Sequence, residues 1–132
     1  MDDFIAYLDT SEVQAGKLEE LKTAMAELAE FVKLNEPRIL AYRAYFSADG
    51  STMSVLHFHP DVASLEFHMQ VAGPKFAPIA PLLKMRSIEV FGTPTEELVA
   101  QLHAKARLLG DATVIVRDLH AGFDRLPRAE ET

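Results

Sequence analysis

The sequence contains no cysteine, no tryptophan and a single asparagine, Asn35, and only 8% of its residues are aromatic. Without cysteine there can be no disulfide, no thiol catalysis, no iron–sulfur cluster and no zinc site built on thiolates. Basic residues are also scarce: 13 Lys and Arg stand against 20 Asp and Glu, for a net charge of −7. A surface of that sign repels phosphate, which argues against nucleic acid and against an anionic membrane as partners. Long apolar runs are missing too. The most apolar stretch, Phe76 to Leu83, is short and interrupted by Pro78 and Pro81, so no membrane-spanning helix is expected. Met1-Asp2-Asp3-Phe4 has neither the basic start nor the apolar run of a secretory signal, so a cytoplasmic location is expected.

What the chain does have is 132 residues, 48% of them hydrophobic. That supports one domain, in which roughly two-thirds of the unfolded chain's surface can be buried. Phe4 to Asp9 reads as a first strand. Leu18, Leu21, Met25, Leu28 and Val32 then recur at helical spacing until Asn35 and Pro37 stop the pattern. Strands from Ile39 to Phe46 and from Met53 to His59 flank Asp49-Gly50, a hairpin signal.

With a two-residue turn at Asp49-Gly50, Phe46 pairs with Met53, Tyr42 with His57 and Leu40 with His59. One face then carries Leu40, Tyr42, Ala44, Phe46, Met53, Val55, His57 and His59, and the other Ile39, Ala41, Arg43, Tyr45, Leu56 and Phe58. Both faces are largely apolar. A small domain covers one face of its sheet with its own helices, so the second face calls for another sheet or another subunit.

Asp61 is placed to cap a helix on which Leu65, His68, Met69 and Ala72 share a side. Gly73-Pro74 breaks it, and a strand from Met85 to Phe91 follows. Thr93-Pro94-Thr95-Glu96 predicts a further helix with Thr93 as its cap, closed by Gly110. Thr113-Val114-Ile115-Val116 is β-branched throughout, which predicts a strand buried on both sides. It is expected to pair with a sheet edge, its own or, in preference, a partner subunit's, with the preceding helix over the seam. Arg125 to Thr132 is polar and expected to fray.

The fold expected is therefore α+β: a ferredoxin-like βαββαβ unit with an antiparallel sheet over residues 1–94, and a helix–strand extension over 95–132. The extension is expected to pack on the same domain or on a dimer partner.

Glu36-Pro37-Arg38-Ile39-Leu40-Ala41-Tyr42 at the end of the first helix resembles a Glu-Pro-Gly-x-Leu-x-Tyr pattern. His57-Phe58-His59, Ser64-Leu65-Glu66-Phe67-His68-Met69 and Ile88-Glu89-Val90-Phe91-Gly92 follow in matching order. Together they resemble the antibiotic biosynthesis monooxygenases, and the likeness covers about the first three-quarters of the chain. The resemblance implies a dimeric α+β barrel and a cofactor-independent monooxygenase for a small aromatic phenol or quinol, without a metal. Arg38 stands where that family has Gly, His57 where it has Glu and His59 where it has Trp. The Asn, Trp, Tyr and Arg set of its quinone-forming oxygenases does not carry over, nor does the Asn, Trp and His set of its haem-degrading relatives.

His57 and His59 share a strand face, Tyr42 lies opposite His57, and His68 follows on the next helix. Such a trio suits a base and proton relay for a phenol, a metal site, or a packed polar patch. Under the oxygenase reading His59, His68 or His57 is the base, and Tyr42, Leu65, Met69 and Phe76 hold the substrate. The alternative is a non-catalytic small-ligand-binding or interaction module of the same dimeric fold, its histidines structural. His103 is expected to be solvated, His120 to lie in a turn and Arg43 to be an edge residue or an intersubunit ion-pair partner. No Gly-rich phosphate loop, Gly-x-Ser-x-Gly elbow or His-Glu-x-x-His helix is present.

Overall fold

The computed structural model describes residues 3–127; Met1, Asp2 and 128–132, where most of the polar C-terminal run falls, lie outside the described residues. In chain order the elements are β1 (Ile5–Val13), α1 (Leu18–Asn35), β2 (Ala41–Phe46), β3 (Thr52–His59), α2 (Val62–Ala72), β4 (Leu83–Phe91), α3 (Glu96–Leu109) and β5 (Thr113–Arg117). Two 3₁₀ turns, Gly73–Lys75 and Ala77–Leu82, join α2 to β4, as the prolines there require.

The sheet order is β2-β3-β1-β4-β5. The first four strands are antiparallel and form the ferredoxin-like unit. β5 pairs with β4 in parallel, so the sheet is mixed rather than wholly antiparallel. Phe46 faces Met53 and Tyr42 faces His57, the register expected from the hairpin. The loop is longer than a two-residue turn: Ser47 N–H bonds to Thr52 O, and Asp49 Oδ1 accepts from Ser51 N and from both flanking serine hydroxyls. The loop takes one residue from each strand end, which leaves the faces unchanged.

Ile5, Tyr7, Asp9 and Ser11 of β1 and Met53, Val55, His57 and His59 of β3 are buried on the face that the helices cover. The helices meet them with Leu21, Met25, Leu28 and Val32 of α1, Leu65, Met69 and Ala72 of α2, and Leu98, Leu102, Ala106 and Leu109 of α3. On the other face lie Leu8, Leu56 and Phe58, which are half-buried, and Tyr45 and Phe91, which are exposed. One chain carries a single open sheet and closes no barrel by itself.

Three details of the extension differ from expectation. Thr95, not Thr93, caps α3, its hydroxyl accepting from Leu98 N–H, because the helix starts at Glu96, two residues beyond Pro94. β5 lies on the edge of the chain's own sheet, beside β4, rather than on a partner's. It is also not buried on both sides: Val114 and Ile115 are half-buried and Val116 is exposed. A β-branched run specifies extended backbone, but burial depends on what covers the edge.

The turn after α3 fixes its distance from the sheet. Gly110 has φ +149°, and a Cβ there would sit 2.7 Å from Met85 N and 2.8 Å from Met85 O. Only glycine allows the chain to pass so close to β4.

Candidate functional site

Alternation along the strands puts Tyr7, His57 and Tyr42 in one row across β1, β3 and β2. The Tyr7 ring stacks on His57 at 4.2 Å between centroids, and Tyr42 lies 4.6 Å from His57 on its other neighbour. His59 follows two residues later on the same face, 5.5 Å from His57. α2 brings His68 edge-on to His57 at 4.5 Å, and Phe76 closes over it at 6.2 Å. All three imidazoles are fully buried.

Hydrogen bonds order this cluster. Arg38, where the resembled pattern has Gly, forms a two-pronged ion pair with Asp61, and Asp61 accepts from Ser64 N–H to cap α2. Ser64 Oγ lies 2.7 Å from His59 Nδ1, and His59 Nε2 lies 3.3 Å from His57 Nδ1. Neutral imidazole carries one N–H, so the Ser64–His59–His57 chain has two arrangements, one leaving His57 Nε2 a donor and the other a base. His68 Nδ1 lies 2.8 Å from the carboxylate of Glu36, which is buried at the end of α1. His57 Nε2 and His68 Nε2 have no partner among the described residues.

Burial favours the uncharged forms. It holds His59 and His68 down to about 3, with His68 adding to the effect on His59 and Lys105 to that on His68. His57 is likewise pushed well below its ordinary value, by burial first and then by His68. Glu36 is pushed up to about 7 by burial. The trio is therefore unprotonated at neutral pH, and takes up a proton only where an adjoining negative charge offsets the burial.

A second polar group lies beside the first. Lys105 on α3 is buried and donates to Tyr7 OH at 2.7 Å; Tyr7 OH donates to Asp9 Oδ2 at 2.6 Å. The ammonium sits 3.7 Å from Asp9 Oδ2 and over the rings of Tyr7 and Phe76, 4.6 and 4.3 Å from their centroids. Burial lowers the Lys105 pKa, opposed by Asp9, and raises that of Asp9, opposed by Lys105. Asp9 Oδ1 is buried without a side-chain hydrogen-bond partner among the described residues.

A cavity of about 20 Å³ adjoins Lys105, Asp9, Tyr42 and Phe76 and is otherwise walled by apolar side chains. Leu65 and Met69 are buried in the core but are not among its walls, and neither are His57, His59 and His68. Tyr42 and Phe76 are walls that touch both the cavity and the imidazoles. On its outer side Tyr42 joins Glu36 in lining a surface groove of about 440 Å³ between α1 and β2. His103, His120 and Arg43 are exposed and away from the cluster.

Among the described residues no three His, Asp or Glu side chains are arranged to hold a metal ion. The donor set agrees: only two ring nitrogens are unengaged, and the Lys105 ammonium bears on both histidines that carry them. A resident cation beside that ammonium would be repelled.

Lys105, Asp9, Tyr7, Glu36 and Ser64 were not expected as a site. Lys105 had a signal: it stands seven residues after Leu98, on the stripe that Leu102, Ala106 and Leu109 define. A lysine on a buried stripe is a charge held for a reason.

No family model matches this sequence, and no curated protein is similar to it at a significant level. Solved structures do match. MupZ from Pseudomonas fluorescens superimposes with a TM-score of 0.72 at 18% identity, over 95% of this chain and 91% of that one. A candidate antibiotic biosynthesis monooxygenase from Caulobacter crescentus is 26% identical, with a TM-score of 0.61, over 67% of this chain and 88% of that one. SnoaB, a cofactor-independent oxygenase from Streptomyces nogalater, has a TM-score of 0.60 at 14% identity, over 70% and 95% of the two chains. The antibiotic biosynthesis monooxygenase likeness seen in the sequence is thus present in the fold.

Proposed function

From its likeness to the antibiotic biosynthesis monooxygenases, we propose that this chain is a cofactor-independent monooxygenase acting on a small aromatic phenol or quinol. The observation that carries the proposal is the buried trio of unprotonated imidazoles, His57, His59 and His68, set against Tyr42. In such a reaction a base removes an acidic C–H or O–H proton and the substrate anion reduces O₂ itself. The methylene carbon gains one oxygen as a carbonyl, and the other leaves as water. His68 Nε2 and His57 Nε2 are the atoms free to take the proton, with His59 and Ser64 passing it on. Tyr42 and Phe76 line the cavity for the ring, and Leu65 and Met69 back the base. Exclusion of water keeps the anion reactive.

The proposal includes a second copy of the chain covering the open sheet face, where Phe91, Tyr45 and the tail residues Leu119 and Phe123 are exposed. It also keeps the cytoplasmic setting; among the described residues no helix is long and apolar enough to cross a membrane. Oxygen uptake with a panel of anthrone-like phenols tests the chemistry. Uptake lost in His68→Ala and His57→Ala supports it; no uptake by the native protein, or uptake unchanged in both variants, refutes it. A stable monomer by light scattering at micromolar concentration refutes the dimer.

A second reading is a ligand-binding module without turnover. It is favoured by the cavity lining, which includes none of His57, His59 and His68. Binding of a phenol without oxygen uptake is its signature.

A further inference from the structure

Resting on that reading of the pocket, we propose that Lys105, delivered by the C-terminal helix, is the residue that holds the anionic oxygen of the substrate. Three observations converge on it. The ammonium lies in the wall of the cavity rather than in solvent. Its neighbours Tyr7 OH and Asp9 fix its direction, through contacts at 2.7 and 3.7 Å. The remaining walls include Met25, Met53 and Met85, unbranched side chains that repack readily, so the cavity can enlarge around an aromatic ring.

A phenol entering there replaces its O–H with an oxyanion once a proton leaves, and charge develops where a desolvated ammonium already points. In a water-poor site such a donor acts far more strongly than at a surface. Proton and charge balance simply: the imidazole or bulk water takes H⁺, the aryl oxygen keeps the electron pair, and Lys105 stays protonated throughout. The titratable groups that face Lys105 are Asp9 and Tyr7 of β1, Glu36 at the end of α1, His57 of β3 and His68 of α2. Asp9 balances the ammonium when no ligand is bound, which is why a lysine can be stored in this core.

The fold comparison is consistent with a site completed by the extension. MupZ matches 95% of this chain, so most of the α3–β5 segment has a counterpart there, whereas the oxygenase matches 70%, about the length of the βαββαβ unit.

The test uses para-nitrophenol, whose absorbance reports its ionisation, and its uncharged ether para-nitroanisole as control. With the native protein the dye should bind as phenolate, its apparent pKa lowered so that the anion is favoured about tenfold or more. Lys105→Met should abolish that preference and leave binding of the ether unchanged, and Lys105→Arg should retain part of it. The double variant with Asp9→Asn leaves no lone buried charge, so it reports on the same dye if the single variant does not fold. A bound dye that ionises as it does in water, or a preference that survives loss of Lys105, overturns the inference. If neither dye nor ether binds the native protein, the pocket reading falls and this inference with it. Lys105-dependent phenolate binding without oxygen uptake overturns the oxygenase reading alone.

Discussion

Glu36 and His68 meet as a buried pair, 2.8 Å from carboxylate oxygen to Nδ1, and tie the end of α1 to the middle of α2. The carboxyl and the imidazole decide each other's hydrogen. When Glu36 is ionised, Nδ1–H donates to it and Nε2 is a base; when Glu36 is protonated, its O–H donates to Nδ1 and Nε2–H becomes a donor.

Stability should therefore depend on pH with a definite sign. His59 and His68 stay unprotonated in the fold down to about 3, against 6.5 when unfolded, and His57 acts in the same direction. Between those values the unfolded chain binds more protons, so these groups make stability rise with pH. Glu36, raised from 4.5 to about 7, and Asp9, also raised, bind more protons when folded, so their contribution falls as pH rises. The histidines outweigh Glu36, so stability should climb with pH between about pH 4.5 and 6.5. Glu36→Gln should steepen that climb. Urea unfolding at a series of pH values reads this directly, and a native profile flat over that range would contradict it.

Gly110→Ala should destabilise the protein by about 2–4 kcal/mol, because the positive φ and a Cβ beside the Met85 backbone have no soft neighbour to yield. Gly16→Ala serves as the control, since it shares positive φ but has nothing within 4 Å and should cost about 1 kcal/mol. Equal losses in chemical denaturation would show that the approach to β4 is not what matters.

Asp61→Ala removes both the α2 cap and the anchor for Arg38 and should cost about 1–2 kcal/mol. Ser64→Ala removes only the hydroxyl on His59. If Ser64 orients that ring, the ¹⁵N shifts of His59 and His57 should move together in Ser64→Ala, with the melting temperature changed by only a few degrees. Unchanged shifts would disconnect the serine from the relay.

Removing residues 95–132 takes Leu98, Leu102, Ala106 and Leu109 out of the core and leaves Asp9 without its cation. The truncated chain should be aggregated or unfolded by circular dichroism and gel filtration. A soluble truncated form with the native melting temperature would show that the extension is dispensable.

The first six elements were legible because their signals are local. Asp49-Gly50 sets the parity of the hairpin, and parity places Tyr42, His57 and His59 on one face. The Lys105–Tyr7–Asp9 group was not legible, because its partners are 98 residues apart and a lysine in a helix reads as solvated until the stripe it sits on is counted. β5 shows the same limit. Its composition specifies a strand, whereas the choice between its own sheet and another's, and how far it is buried, depends on the whole assembly.

The central position of β1 has a kinetic consequence. The first strand made pairs on one side with residues 52–59 and on the other with residues 83–91, so neither of its edges can be satisfied early. Closing such long loops precedes any reward from the contacts, which slows folding relative to a helical bundle of this size. Until β4 arrives, the nascent chain presents an apolar strand with open hydrogen-bonding edges. Refolding yield, rather than final stability, is then the quantity most sensitive to protein concentration.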